Sequence, residues 1–224
     1  MPRVLIIGAS RGIGHELARQ YRADQWEVIG TARDEAGLAK LAALGARTLR
    51  LDATDANAPS ILEAAISGLD LDAALFCAGI YGPRTQKLEA PTEAEFDSVM
   101  RTNVLAAMKL APVAAPALGR TKGKLAVISS RMASIGIRSA ASGWLYRASK
   151  AALNSVLKDI SLVLGPQGVT CVTFHPGWVR TDMGGAGADI DVATSVAGIR
   201  STLAALKPAQ NGSFFNYDGA VIPW

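Results

Sequence analysis

Two side chains at helical spacing carry the first chemical signal in this sequence, the phenol of Tyr146 and the ammonium of Lys150. Residues four apart lie on one face of a helix, so the two groups can act together. A free tyrosine has a pKa of ~10, and a nearby cation lowers that pKa by about 1–3 units. The pair predicts acid–base chemistry, with Tyr146 activated by Lys150. An amphipathic helix with a half-buried tyrosine and a snorkelling lysine is the alternative for an isolated pair.

A glycine-rich segment near the start of the chain favours the chemical interpretation. Gly8, Gly12 and Gly14 follow the apolar run Val4-Leu5-Ile6-Ile7 and open a run with helical periodicity. Glycine permits a tight turn and a close approach of phosphate, and a helix N-terminus offers free N–H groups and a partial positive charge. Glycines that only form a turn are the alternative. The flanking strand and helix favour a site for a dinucleotide pyrophosphate.

Short apolar runs rich in β-branched residues alternate with longer helical runs along the whole chain. This alternation predicts a parallel sheet covered by helices on both faces. The predicted strands span residues 3–7, 27–31, 47–51, 73–77, 124–129, 169–174 and 213–215. The predicted helices span residues 12–22, 35–44, 60–67, 92–118, 144–164 and 192–206, and the fourth is expected to bend near Pro112.

The pattern indicates the α/β class, with a single domain over residues 1–224. Half of the 224 residues are hydrophobic, which suits one large core. The expected architecture is a doubly wound parallel sheet of about seven strands with helices on both faces. Its ligand should bind beyond the carboxyl ends of the strands, where the glycine segment and Tyr146 would meet.

Composition argues against several other classes. The formal net charge is +4, but the basic residues are scattered, so no nucleic-acid partner is expected. No apolar stretch is long enough to span a bilayer and the first residues lack a signal-peptide pattern, so we expect a cytoplasmic protein. Cys77 and Cys171 are expected to be buried free thiols. His15 and His175 lack the company of a metal site, so no metal is expected.

The spacing Gly-x-x-x-Gly-x-Gly resembles that of the short-chain dehydrogenase/reductase family, and the resemblance extends over essentially the whole chain. It implies a Rossmann-type fold that binds NAD(P). The longer loop before Tyr146 and the segment from Phe214 to Trp224 are similar to the sub-group of C-factor-like and sniffer-like carbonyl reductases. In the glycine segment the resemblance implies cofactor contacts from Gly8, Ser10, Arg11, Gly12, Ile13 and Gly14.

The resemblance also implies a catalytic set. Ser130, the second serine at the end of the fifth predicted strand, would donate to a substrate carbonyl. Lys150 would activate Tyr146 and hold the nicotinamide ribose, and the backbone of Asn103 would hold a water that extends a proton path from Lys150. Ser130 precedes Tyr146 by sixteen residues, a few more than is usual, so Ser134, twelve residues before, is a rival. The strand-end placement favours Ser130.

Charge at the end of the second predicted strand favours NADP(H) over NAD(H). Arg33 stands where NAD-dependent members of the family tend to carry Asp, and Arg11 adds a second cation. Guanidinium groups suit a ribose 2′-phosphate. Asp34 follows directly and keeps NAD(H) open, although a side chain one residue on should point elsewhere.

Further segments complete the cofactor site that the resemblance implies. Asp52 would accept a hydrogen bond from the adenine amino group, with Ala53 beside it, and a solvated loop aspartate is the alternative. The family often has Asn-Asn-Ala-Gly after the fourth strand, and this chain lacks both asparagines. The remaining expected cofactor contacts are Ala78, Gly79, Pro176, Gly177, Val179 and Thr181.

Together these residues predict an NADPH-dependent oxidoreductase that reduces a ketone or aldehyde to an alcohol, with Tyr146 as general acid. The expected partner is a small carbonyl or alcohol substrate. A dinucleotide-binding signalling or sensing protein of the C-factor type, and NAD-dependent alcohol oxidation on the same fold, are the alternatives. The helix over residues 144–164 would suit a homodimer or homotetramer, but a buried helix of a monomer looks the same in sequence.

Overall fold

The computed structural model describes residues 1–224. The strands are β1 (Arg3–Ile7), β2 (Glu27–Ala32), β3 (Arg47–Arg50), β4 (Ala73–Phe76), β5 (Lys124–Ile128), β6 (Thr170–His175) and β7 (Ser213–Asn216). They form one sheet in the order β3-β2-β1-β4-β5-β6-β7, and each neighbouring pair is parallel. The Rossmann-type sheet predicted from the sequence is confirmed.

Helices connect successive strands and cover the sheet. They are α1 (Gly12–Ala23), α2 (Glu35–Ala43), α3 (Ala58–Ile66), α4 (Glu93–Met100), α5 (Ala106–Thr121), α6 (Trp144–Leu164) and α7 (Val192–Ala205). The predicted helix over residues 92–118 is divided into α4 and α5, and all other helix ends lie within three residues of the predicted ends. No helix has both the length and the apolar character that crossing a bilayer requires.

The two faces of the sheet are buried by different helices, because successive strand residues point to opposite sides. Leu5 and Ile7 belong to a core cluster with apolar residues of α3, α5 and α6. Val4 and Ile6 belong to a second cluster with residues of α1, α2 and α7. Full burial of such a side chain contributes about 1.5–3 kcal/mol. Since both faces are covered, the strand ends are left to form a site.

The carboxyl end of β1 lies where the strand order reverses, because β1 pairs with β2 on one side and β4 on the other. The connections leave these strands in opposite directions and open a crevice between them. The loops after β1 and β4 border this crevice.

The helical segment between β4 and β5 is interrupted at Arg101–Leu105, before the predicted bend near Pro112. Thr92 and Glu95 form the capping box that the sequence predicts at the start of α4. We expected a bend near Pro112, but α5 continues through both of its prolines. The departure from α-helical hydrogen bonding lies instead at Arg101–Leu105, a single π-helical turn.

Candidate functional site

A cavity of about 520 Å³ lies at the carboxyl ends of the strands. Loops that follow six of the strands contribute to its wall, as expected for a doubly wound sheet. The predicted site residues that line it are Gly8, Ser10, Arg11, Gly12, Ile13, Gly14, Arg33, Asp52, Ala53, Ala78, Gly79, Tyr146, Lys150, Pro176 and Thr181. Four others, Ser130, Asn103, Gly177 and Val179, lie outside this wall, on the segments that support it.

The glycines of the first loop are required by its shape. Gly8 has φ +84°, and a Cβ there would lie 2.7 Å from the backbone nitrogen of Ala78. A Cβ on Gly14 would collide with the carbonyl oxygen of Gly8. The N-cap residue of α1, Arg11, makes no capping hydrogen bond with its side chain. The first N–H groups of α1 are thus available to an anion in the cavity.

The cation arrangement beside β2 differs in part from the prediction. Arg33 is exposed and lines the cavity as expected. Arg11 also lines the cavity, and its guanidinium pairs with Asp182 at 3.1 Å. Both of those side chains are largely exposed, so the pair is weak, of order 0–1 kcal/mol. Lys40 of α2, which the sequence interpretation missed, also lines the cavity and adds a third cation to Arg11 and Arg33.

Asp52 is held at the end of β3 by a local turn. Its Oδ1 accepts hydrogen bonds from the backbone nitrogen and the hydroxyl of Thr54, at 2.9 and 2.7 Å. Burial alone would raise the pKa of Asp52, but these bonds and the nearby Arg33 and Lys109 lower it on balance. Asp52 is therefore an ionised acceptor at the cavity wall, and Thr54 is a second residue that the sequence did not reveal.

Lys150 and Tyr146 lie together in the first two turns of α6, and both are buried. Lys150 Nζ donates to the carbonyl oxygen of Ile128 at 2.9 Å and lies 5.8 Å from the centre of the Tyr146 ring. Burial lowers the pKa of Lys150 to about 8. The ammonium thus lies between the end of β5 and the phenol of Tyr146.

The expectation that Lys150 would depress the pKa of Tyr146 is not met in this structure. Burial raises the pKa of Tyr146 to about 12, a hydrogen bond with Ser130 acts in the opposite direction, and the nearby Tyr81 raises it further. Desolvation disfavours the phenolate more strongly than the site stabilises it. Tyr146 is therefore a protonated phenol at neutral pH.

The two candidate serines have different environments. Ser130 follows β5 by two residues, its Oγ accepts a hydrogen bond from the backbone nitrogen of Met132 at 3.1 Å, and its hydroxyl is near enough to Tyr146 to lower the pKa of that phenol. Ser134 is fully buried, and its hydroxyl donates to the carbonyl oxygens of Pro223 and Trp224 at 2.5 and 3.0 Å. Ser134 is thus committed to the chain end, whereas Ser130 adjoins the phenol.

Asn103 lies in the π-helical turn and anchors the segment after β4. Its Oδ1 accepts from the backbone nitrogen of Ile80 at 2.8 Å, and its Nδ2 donates to the Ile80 carbonyl oxygen and to Ser149 Oγ, both at 2.9 Å. A Cβ on Gly79 would lie 3.2 Å from Lys150 Nζ and 3.3 Å from Asn103 Oδ1. The side chain of Asn103 thus supports the wall beside Lys150, and π-helical turns are frequent at functional sites.

The segment after β6 folds back toward the glycine loop. Gly177 has φ +87°, and a Cβ there would lie 2.6 Å from Ile190 Cδ1. Val179 is buried and forms a bridge to Ile190. Thr181 Oγ1 accepts from the backbone nitrogen of Gly184 at 3.2 Å, and its methyl carbon lies 3.5 Å from a Cβ position on Gly12. This segment therefore closes the cavity over the start of α1.

The two thiols and the imidazole of His175 are poor acids and bases at neutral pH. Burial raises the pKa of Cys77 and of Cys171 to about 12. Burial, with Arg131 nearby, lowers the pKa of His175 to about 4. No group of three or more His, Cys, Asp or Glu side chains is placed to hold a metal ion. The chemistry available here is that of hydroxyl, phenol and amine groups.

Comparison with known proteins agrees with this geometry. The family model for short chain dehydrogenase matches residues 2–189. The chain is 41% identical over 101 residues to C-signal of Myxococcus xanthus, a match that spans 45% of this chain and 61% of that protein.

Two solved structures superpose over the full chain. The carbonyl reductase Sniffer of D. melanogaster has a TM-score of 0.92 and 32% identity, with all of both chains covered. The NADPH-bound carbonyl reductase from chicken fatty liver has a TM-score of 0.89 and 30% identity, with 100% of this chain and 99% of that chain covered. The chain therefore belongs to the short-chain dehydrogenase/reductase family, and within it to the C-factor and carbonyl reductase type.

Proposed function

We propose that this protein is an NADPH-dependent reductase of small ketones or aldehydes. The observation that carries the proposal is the meeting of Ser130, Tyr146 and Lys150 beside a cavity whose far wall is a glycine loop at a helix N-terminus. The Ser130 hydroxyl can polarise a carbonyl, and the Tyr146 phenol can protonate its oxygen. The Lys150 ammonium can support this proton donor.

The cavity wall fits NADPH along its length. The glycine loop and the N–H groups of α1 would hold the pyrophosphate, because Gly8, Gly12 and Gly14 line the cavity at the start of that helix. Arg33 and Lys40 would bind the 2′-phosphate, and Asp52 would accept from the adenine amino group. When bound, the cofactor supplies the hydride that the chain's own side chains cannot provide.

The ionisation of the site suits reduction. Tyr146 is protonated at neutral pH, so it can donate a proton to the oxygen of a carbonyl that is being reduced. Ser130 would donate a hydrogen bond to the same oxygen. Lys150 lies close enough to the phenol to stabilise the phenolate left after proton transfer. Asn103 holds the wall beside Lys150, and a water on its backbone stays a prediction.

A signalling role of the C-factor type is the second candidate, favoured by the partial match to C-signal. Oxidation of alcohols with NAD(H) is less well supported, because Asp34 caps α2 and does not line the cavity. Assembly as a homodimer or homotetramer stays a prediction.

Titration with NADPH and with NADH, followed by nicotinamide fluorescence, and a panel of ketones and aldehydes would test the proposal. We expect tighter binding of NADPH and consumption of NADPH with at least one carbonyl class. Binding of NADPH without turnover of any carbonyl would favour the signalling role. Stronger binding of NADH would favour the oxidative role.

A further inference from the structure

The ring of Tyr81 lies against the ring of the proposed proton donor. Tyr81 follows β4 by five residues, and its ring stacks on Tyr146 with centroids 4.5 Å apart and planes 17° apart. The guanidinium carbon of Arg84 lies 4.6 Å from the centre of the Tyr81 ring. Tyr81 is therefore in contact with both the Arg84 guanidinium and the Tyr146 ring.

The start of α6 is shaped to receive Tyr81. Gly143 directly precedes α6 with φ +64°, and a Cβ there would collide with the Tyr81 hydroxyl and lie 3.0 Å from its Cζ. The backbone nitrogen of Gly143 donates to the Thr85 carbonyl oxygen at 3.0 Å. Trp144 Nε1 donates to the Glu89 carbonyl oxygen at 3.1 Å. The loop after β4 is therefore fastened to the turn of α6 that carries Tyr146.

Arg84 extends this arrangement to a third segment. Its Nη2 donates to the carbonyl oxygen of Met183 at 2.7 Å, and Met183 lines the cavity. The layered group of Arg84, Tyr81 and Tyr146 thus joins the loop after β4, the start of α6 and the loop after β6.

We propose that Tyr81 is a positioning residue for carbonyl reduction, whose ring holds the Tyr146 phenol in line with Ser130 and keeps water from one of its faces. The inference rests on the proposed function of Tyr146 as proton donor. A ring that stacks on Tyr146 and belongs to a loop fastened to α6 leaves the phenol little freedom to tilt. Small misplacements of a reacting group can lower a rate by about a hundredfold.

The electrostatics of Tyr146 agree with this role. Burial is the largest cause of its raised pKa, and the Tyr81 phenol acts in the same direction. Charged groups near the phenol include Lys150, at 5.8 Å from the ring centre, Arg84, which contacts Tyr81, and the buried Arg147 next to Tyr146 in α6. Beyond Lys150 stands the protonated thiol of Cys77. Loss of the Tyr81 ring would admit water and let the phenol ionise at lower pH.

The test compares Tyr81→Leu, which removes the flat ring, with Tyr81→Phe, which keeps the ring and loses only the hydroxyl. Trp26→Leu is the matched control, because Trp26 also packs on a tyrosine, Tyr21, at 4.8 Å, but directly precedes the amino end of β2, whereas the cavity lies at the carboxyl ends of the strands. For each protein the unfolding midpoint, the dissociation constant for NADPH, and kcat and KM for carbonyl reduction are measured.

We expect Tyr81→Leu to lower kcat by about ten- to a hundredfold while the dissociation constant for NADPH changes by less than about threefold. Tyr81→Phe should keep kcat within about threefold of wild type, and the control Trp26→Leu should leave kcat unchanged. A folded Tyr81→Leu protein that binds NADPH and keeps kcat within about twofold of wild type would overturn the inference alone. A wild type that reduces no carbonyl would overturn the proposed function and this inference with it.

Two further measurements test the inference if the Tyr81→Leu protein is unstable. Arg84 is exposed, so Arg84→Met should fold, and an unchanged kcat in that variant would contradict the layered arrangement. The tyrosinate absorbance of the two Tyr81 variants can also be titrated, since both retain Tyr21, Tyr146 and Tyr217. We expect one phenol to ionise at lower pH in Tyr81→Leu than in Tyr81→Phe, and coincident titrations would count against the inference.

Discussion

The carboxylate of Asp34 accepts a hydrogen bond from the backbone nitrogen of Gly37 at 2.7 Å and forms the N-cap of α2. One residue earlier, the side chain of Arg33 lines the cavity. Neighbouring side chains after β2 thus point in different directions. Asp34 caps α2, and Arg33 faces the cavity. A guanidinium on the cavity wall suits the ribose 2′-phosphate of NADP(H).

Removal of the Arg33 guanidinium should therefore weaken NADPH selectively. We expect Arg33→Ala to raise the dissociation constant for NADPH by about 10–100-fold, because a hydrogen bond to a charged group contributes about 1.5–3 kcal/mol. The dissociation constant for NADH should change little, and Lys40→Ala should have a smaller effect in the same direction. Nicotinamide fluorescence titrations would measure all four values.

Arg50→Ala serves as the control for that loss of charge. Arg50 is an exposed arginine of β3 that pairs with Glu35 and does not line the cavity. Equal weakening of NADPH binding by Arg50→Ala and Arg33→Ala would show that only net charge matters.

Ser130 and Ser134 should separate into a catalytic and a structural serine. Ser130→Ala should lower kcat by about 10²–10³, the usual effect of removing one donor to a developing oxyanion. Ser134→Ala leaves the carbonyl oxygens of Pro223 and Trp224 without that donor, and we expect a loss of about 1–3 kcal/mol in unfolding free energy with kcat nearly unchanged. Steady-state kinetics and thermal unfolding of both variants would decide, and the reverse pattern would make Ser134 the catalytic serine.

The pH dependence of reduction should follow Lys150. Burial lowers the pKa of this ammonium to about 8, so the group is charged below that pH and neutral above it. A neutral amine no longer stabilises the phenolate that forms when Tyr146 gives up its proton. We expect kcat/KM for carbonyl reduction to fall as pH rises through about 8. A kcat/KM that rises through that range would contradict this role for Lys150.

The glycine loop should not tolerate a side chain at Gly14. A methyl group there collides with the Gly8 carbonyl oxygen, so Gly14→Ala should lower the unfolding free energy by about 1–3 kcal/mol and abolish tight NADPH binding. Gly119→Ala is the matched control, because Gly119 lies in α5 with its nearest non-local atom at 3.5 Å. That control should gain up to about 1 kcal/mol from helix propensity. Equal losses in the two variants would contradict the close packing of the loop.

Local sequence patterns are sufficient for the sheet and for much of the cofactor site. The apolar run of β1 and the glycines after it are contiguous, so their strand-loop-helix structure follows from residues near one another. Tyr146 and Lys150 share a helix, and their common face follows from spacing alone.

Features that depend on distant contacts were not predictable in the same way. Arg11 pairs with Asp182, which is 171 residues away in the sequence. The orientation of the Arg11 side chain therefore could not be predicted from the residues of the glycine loop. The π-helical turn at Arg101–Leu105 coincides with the anchoring of Asn103 to Ile80, which is also a tertiary contact. The pKa of Tyr146 rises because the phenol is buried, and the sequence spacing between Tyr146 and Lys150 does not predict that burial.

The most direct test of the account is the turnover of Tyr146→Phe compared with wild type, with NADPH and a carbonyl that the wild type reduces. The phenol hydroxyl is the proposed proton donor, and loss of such a group lowers kcat by about 10²–10⁴. We predict that loss, with the dissociation constant for NADPH within about threefold of wild type because the ring remains in place. A Tyr146→Phe protein that turns over at the wild-type rate would contradict the central claim.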